Sequence, residues 1–434
     1  MTIDRRAFVQ GLGLGTLGAL AGCSSTASTG LKTSPAVASG LALPAFESVR
    51  PEVYWRAVRA QFPLLEDPLY LNTGGLGPTS QPVLDTLFET MRQLQEHSET
   101  GHGRFEPARA VVARFVGAGT DEICFVRNAT EGNSIIASGL SLKAGDEVIF
   151  ETHAHPGGSF PWFNQARERG VVVRLFEPDP SSPEANLQRI RDLITPRTRV
   201  IQVSHITCTT GLVLPVAAVA ELAQARGIWF HVDGAQSVGM IPVGLDALGC
   251  DSYAFSGHKW LGAPHETGVL YLRRTRLNEI SSTGIGAYSG ELSWLPGELK
   301  YSATAARHEY GTRNAGAVEA VAAAVRFQES IGGERIAARG RDLAGFLLVE
   351  LAKVPGITVL TPSHESLRSS MTTIQHPRAD ASKFFNYLLE KHRLRCRPVT
   401  EQGMQALRIS THIFTLQEDC ERVVAAVKTS IREL

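Results

Sequence analysis

The chain is short of lysine: 43 of its 434 residues are lysine or arginine, and only eight of these are lysine. It has no apolar run of the roughly 18 or more residues that a membrane-spanning helix requires. Its formal net charge is zero, so the charge balance does not favour nucleic acid or an anionic surface as partner. The six cysteines form no CxxC pair and no metal-ligand spacing, which leaves metal-centre readings without support. Cys124, Cys208, Cys250, Cys396 and Cys420 are expected to be buried, unpaired thiols.

What is present is a globular composition, 43% hydrophobic, and length enough for two or three domains. The first residues read as a targeting segment. Asp4-Arg5-Arg6-Ala7-Phe8-Val9 is a twin-arginine pattern, and a Gly- and Ala-rich apolar stretch follows from Gly11 to Ala21. Leu20-Ala21-Gly22-Cys23 resembles a lipoprotein cleavage box. Residues 1–23 are therefore expected to be an export signal with a lipid anchor at Cys23, and 24–45 a flexible tether. An amphipathic helix that begins with two arginines is the plainer alternative.

From Tyr70 onward, short β-rich runs alternate with helical stretches. Runs at 122–126, 147–150, 171–175, 200–203, 228–232, 252–255 and 268–272 are near-continuous apolar strands, which predicts burial on both faces. Helices are expected at Glu131–Leu140, at Val216–Arg226 and at Ala315–Gly332. This alternation predicts an α/β domain with a mostly parallel, seven-stranded sheet at 68–320. A smaller α+β domain follows at 321–434, and 46–67 is expected to pack with it. Ligands of such sheets sit beyond the carboxyl ends of the strands.

Two motifs lie at such ends. His231-Val232-Asp233-Gly234-Ala235-Gln236-Ser237 closes one strand, and Ser256-Gly257-His258-Lys259-Trp260 follows another, with Lys259 26 positions after Asp233. A lysine amine that carries an aldehyde as a Schiff base, and a carboxylate that holds a pyridinium nitrogen protonated, are what pyridoxal 5'-phosphate (PLP) chemistry needs. The plain alternatives are a solvated loop lysine and an aspartate that caps a helix. Arg127-Asn128-Ala129-Thr130-Glu131-Gly132 opens a helix, and helix N-termini bind anions. The Ala129 and Thr130 backbone, with Ser256 and His258, would then cradle a phosphate.

Together with Leu71-Asn72-Thr73-Gly74-Gly75-Leu76-Gly77-Pro78, Glu309-Tyr310-Gly311-Thr312 and Leu407-Arg408-Ile409-Ser410, these motifs resemble the class V aminotransferase family of fold-type-I PLP enzymes, over roughly residues 68 to 425. Within it the chain is similar to the isopenicillin N epimerase-like branch. The resemblance implies a homodimer and a substrate that is an amino acid or an amino-acid-terminated peptide. It implies Lys259 as Schiff-base lysine and general acid/base, and Asp233 at the pyridine nitrogen. His155 would stack on the cofactor, with His153 as competitor. Gln236 would touch the phenolic oxygen; His205 falls near the position where relatives use Asn for the same atom. Thr312 would reach the phosphate of a neighbouring subunit, and Arg408 would grip the substrate carboxylate. Tyr288 and Trp294 are candidates for the pocket.

The implied reaction proceeds through an external aldimine and is epimerase-like or aminotransferase-like. The family's desulfurases carry a cysteine in the small domain; the corresponding run 361–370 here has none, and Cys396 reads as core. A carbon–sulfur lyase, and a PLP-fold lipoprotein that binds without turnover, are the alternatives. Twin-arginine transport moves folded proteins, so an exported, periplasmic enzyme could load its cofactor before crossing.

Overall fold

The apolar runs form strands because each buries side chains on alternate faces of one sheet. In the computed structural model, which describes residues 43–290 and 298–434, they are β1 (Ile123–Val126), β2 (Glu147–Glu151), β3 (Val172–Phe176), β4 (Thr198–Ser204), β5 (Trp229–Asp233), β6 (Ser252–Ser256) and β7 (Gly268–Leu272). The expected signal at 1–23 with Cys23, the tether up to residue 42, and Trp294 lie outside the described residues. Across the sheet the order is β1-β7-β6-β5-β4-β2-β3. Strands β2 to β6 are parallel to their neighbours, and β7 runs antiparallel to both β6 and β1.

Successive residues point to opposite faces of a strand, and here both faces are covered. Ile201, Val203, Phe230, Val232, Tyr253 and Phe255 join one apolar cluster. Val200, Trp229, Ala254, Leu270 and Leu272 join the cluster on the other side. The edge strand β3 departs from the expectation of two buried faces: Val172 and Leu175 are 40% and 44% exposed. Among the described residues no strand pairs beyond it, so this edge leaves apolar side chains exposed.

The second sheet contains β8 (Thr358–Val359), β9 (Met371–Gln375), β10 (Arg397–Val399) and β11 (Ala406–Ser410), ordered β10-β11-β9-β8 and antiparallel throughout. Leu343, Leu347 and Leu351 of helix Gly333–Ala352, and Val423 and Val427 of helix Gln417–Glu433, pack on its Ile374, Leu407 and Ile409. Helix Ala315–Ile331 runs unbroken past residue 320, and its buried side chains up to Val325 lie in the core of the large sheet. It ends at Gly332, whose φ of 99° is open to glycine rather than to other residues. Tyr54, Trp55, Val58 and Phe62 pack on Ile331, Ile336, Ile413, Phe414 and Leu416.

Parallel strands place their carboxyl ends on one side, so Glu151, Ser204, Asp233 and Ser256 share one edge of the sheet. Among the described residues, no helix is long and apolar enough to cross a membrane.

Candidate active site

Lys259 follows β6 in a turn that the Asn72–Pro78 loop covers. The Gly77 amide donates to the His258 carbonyl at 2.8 Å. A Cβ on Gly77 would lie 1.7 Å from the Lys259 carbonyl oxygen, so only glycine allows this approach. Burial pushes the Lys259 amine below the usual lysine range, against the pull of Asp233 and then Cys208, while Arg408 pushes it further down. More of the amine is therefore unprotonated at neutral pH, which is the form that attacks a carbonyl.

Asp233 is buried at the end of β5. Its Oδ2 accepts from Asn133 Nδ2 at 2.9 Å, and its Oδ1 from the Ala235 amide at 3.0 Å. Helix Ala129–Gly139 starts beside it. Its first amide, Ala129 N, donates to Ser256 Oγ at 3.1 Å, and Asn128 Oδ1 caps the helix by accepting from Glu131 N. Ala129, Thr130 and Ser256 are thus brought together at a helix N-terminus, the usual ground for phosphate. His258 is adjacent, its Nδ1 3.2 Å from the Thr267 carbonyl oxygen.

The two histidines in contention separate. His153 is buried, with Nε2 3.0 Å from Glu177 Oε1. His155 caps helix Pro156–Arg169, its Nδ1 accepting from the Gly157 amide at 3.0 Å. Burial and then Lys259 hold the His155 pKa down while Asp233 pulls it up, so His155 is the one that shares a field with both.

Gln236 is buried and committed at both ends: Nε2 donates to the Gly74 carbonyl at 2.9 Å and Oε1 accepts from the Trp260 indole at 2.7 Å. One amide hydrogen is left for any other acceptor. His205 Nδ1 lies 2.8 Å from Tyr253 Oη, and burial pushes its pKa down to about 4. Thr312 is exposed, lining a cavity of about 490 Å³ with Arg127, His265 and Tyr310. Its loop is fixed by Glu309, which takes both Arg109 guanidinium nitrogens (2.7 and 3.0 Å) and the Phe125 amide (2.6 Å) in a buried ion pair. Tyr288 stacks on His102 with centroids 3.9 Å apart.

Arg408 comes from β11 and is only 1% exposed. Nη1 donates to the Cys208 carbonyl at 2.5 Å and Nη2 to Asn72 Oδ1 at 2.9 Å, while Nε has no partner. It makes no ion pair among the described residues. Burial first, then Arg397, whose Cα is its partner on β10, push it down to about 10. A Cβ on Gly74 would come within 2.7 Å of Nη2, so glycine there leaves the guanidinium room. A buried cation without an acid is costly and marks a site built for an anionic ligand.

Sequence reasoning missed three groups here. Asn133 and His231 stand behind Asp233; Asn133 lies one helical turn after Ala129, and His231 two residues before Asp233 on the same strand face. Cys208 borders Arg408, and burial raises its thiol pKa against the pull of Arg408 and Lys259. Cys396 is buried too, pushed by burial to about 12, and packs in the small-sheet core. All five described cysteines are buried and unpaired.

The family model for class-V aminotransferases matches residues 82–423. The chain belongs to this family. It is 31% identical to the isopenicillin N epimerase of Streptomyces clavuligerus over 394 residues, 86% of this chain and 97% of the relative. It is 29% identical to that of Amycolatopsis lactamdurans, over 86% and 98%. The crystal structure of the cysteine desulfurase CsdA from Escherichia coli superposes with a TM-score of 0.78 at 25% identity, covering 87% of this chain and 98% of that one. The class-V chain is a PLP-dependent enzyme with the fold-type-I architecture. Its own residues fit the cofactor: an amine at the lysine position is coupled to a carboxylate for a ring nitrogen, a helix N-terminus for a phosphate starts beside that carboxylate, and a buried cation has an unpartnered edge.

Its buried histidines also set its acid limit. Burial pushes His205, His231 and His412 to about 4, 3 and 4. Unfolded, each takes a proton near 6.5, so lowering the pH from 6.5 towards 4 favours the unfolded chain, by on the order of 3 kcal/mol per histidine. Glu151, pushed up by burial to about 7, works in the other direction: its contribution is full below 4.5 and is lost as pH rises through 7. Three groups outweigh one. The melting temperature is expected to fall steeply between pH 6.5 and 4; a flat profile would contradict the buried, neutral histidines.

Proposed function

We propose that this enzyme acts at Cα of an amino acid or amino-acid-terminated peptide, epimerase-like or aminotransferase-like, after export by the twin-arginine route. The observation that carries this reading is Arg408. A buried guanidinium without an acid partner, electrostatically coupled to the Lys259 amine, suits a substrate α-carboxylate and would bring Cα to that amine. Similarity to two isopenicillin N epimerases supports the epimerase branch.

When bound, PLP supplies an electron sink that weakens the bonds to Cα. The residues then divide the work. Lys259 would hold the cofactor and move the proton at Cα, its amine's pKa lowered by burial. Asp233 would pair with the ring nitrogen and His155 would stack on the ring. Ala129, Thr130, Ser256 and His258 would hold the phosphate. Gln236, with its one spare amide hydrogen, and His205 border the phenolic oxygen. Thr312, on its exposed loop, contacts the phosphate of the second subunit of a homodimer. Cys23 anchors the exported protein to a membrane through lipid.

A carbon–sulfur cleavage reading is kept by the likeness to CsdA and by Cys208, a thiol coupled to Lys259. Its raised pKa weakens it as a nucleophile. Incubation of the holoenzyme with candidate amino acids in deuterated water separates the reactions. Cα deuterium with inverted configuration is expected; keto-acid formation points to transamination. Sulfide release without Cα exchange would overturn both.

A further inference from the structure

We propose that Asn133 and His231 are positioning residues that fix Asp233 through a one-way string of hydrogen bonds; this rests on the reading of Asp233 as partner of the pyridine nitrogen. Asn133 Nδ2 lies 2.9 Å from Asp233 Oδ2 and 3.3 Å from the Gly157 carbonyl oxygen. Both are acceptors, so the amide must present its nitrogen to them and its oxygen to His231. His231 Nε2, 2.8 Å from that oxygen, therefore carries the proton. Burial keeps this imidazole neutral, its pKa down at about 3, so Nδ1 is an acceptor. It takes the hydroxyl proton of Ser252 at 2.8 Å, and Ser252 Oγ accepts the Trp229 indole N–H at 3.0 Å.

Each donor thus has one direction, from Trp229 through Ser252, His231 and Asn133 to the carboxylate. Asn133 and His231 are at most 1% exposed. With the Ala235 amide on Oδ1, two donors fix the orientation of the carboxylate. The other charged or titratable groups acting on Asp233 are Lys259, His155, Glu151 and Tyr253, none of which supplies either bond. Asn133 also holds Gly157, two residues from His155, so one amide ties Asp233 to the segment that carries His155.

The test compares Asn133→Leu, His231→Leu and His231→Gln with Asp233→Ala, measuring PLP dissociation constant, the absorbance spectrum of bound PLP, and kcat and KM separately. Asn133→Leu is expected to weaken PLP binding and lower kcat by about 10–100-fold, the scale of a lost hydrogen bond to a charged group. Its spectrum should shift, and KM should stay within about threefold because Arg408 is untouched. His231→Leu should follow it in direction, while His231→Gln, whose amide nitrogen can replace Nε2–H, should restore affinity and spectrum. If Asn133→Leu fails to fold, Asn133→Asp keeps the shape and turns an acceptor on Asp233; the same losses are expected. Wild-type affinity, spectrum and kcat in the folded Asn133 variants, with all three lost in Asp233→Ala, would overturn the string alone. Wild-type behaviour of Asp233→Ala would overturn the pyridine-nitrogen reading and the string with it.

Discussion

Lys259→Ala is expected to reduce turnover by roughly 10²–10⁴-fold or more, the range for loss of a positioned acid/base, and to abolish covalent retention of PLP. The size follows from position. Lys259 stands three residues after β6, with the Gly77 loop on its backbone and its amine in the field of Asp233. Arg408 and the helix at Ala129 are unchanged in this variant, so PLP should still bind, but reversibly. Dialysis should strip it from the variant and not from the wild type. Lys259→Arg should be equally inactive, since a guanidinium stays protonated at working pH.

Arg408→Leu is expected to raise KM for the amino substrate by about 10²–10³-fold, equivalent to roughly 3–4 kcal/mol for two charge-assisted hydrogen bonds lost in a buried site. Arg408→Lys should fall between, because it keeps the charge but not the planar fork. Bound PLP should look unaltered in both, since Asp233 and Lys259 remain. Steady-state kinetics with the spectrum of the holoenzyme checks this. An unchanged KM in Arg408→Leu would remove Arg408 from the substrate site. Loss of this buried cation need not destabilise the fold, because its desolvation cost goes with it. Against that, the Cys208 carbonyl and Asn72 Oδ1 lose their donor.

Much of this was legible in the chain because motif and strand end coincide. Asp233 and Ser256 are the last residues of apolar runs, and parallel strands carry their ends to one edge. Arg408 and the Asn72 loop are far apart in sequence, yet both belong to motifs that a family resemblance joins. The central strands β4, β5 and β6 read correctly because Val200–Ile201, Trp229–Phe230 and Tyr253–Phe255 put apolar residues on both faces. The same rule failed at β3, where apolar composition persisted at an edge with Val172 and Leu175 exposed. Composition reports which residues tolerate burial; it does not report which strand lies outermost.

The missed residues share another cause. Asn133, His231 and Ser252 each look like an ordinary polar residue in an apolar segment, and only their meeting across helix and strands gives them a direction. The spacing of Asn133 from Ala129 and of His231 from Asp233 held a hint, since i,i+4 on a helix and i,i+2 on a strand share a face. Gln236 shows the converse. Its motif points to the phenolic oxygen, and Gly74 and Trp260 leave it one amide hydrogen for such a contact. Cys208 carries no sequence signal because the family's reactive cysteine belongs to the small domain, whereas Cys208 lies between β4 and Leu212, against Arg408.

The central assignment is the amine that holds PLP. Borohydride reduction of the native holoenzyme, followed by peptide mass mapping, fixes the cofactor on the lysine that carries it. The expected result is one modified peptide, containing Lys259, in stoichiometric yield and absent from Lys259→Ala. A modified peptide elsewhere, or active wild-type enzyme that takes up no label, would contradict the assignment.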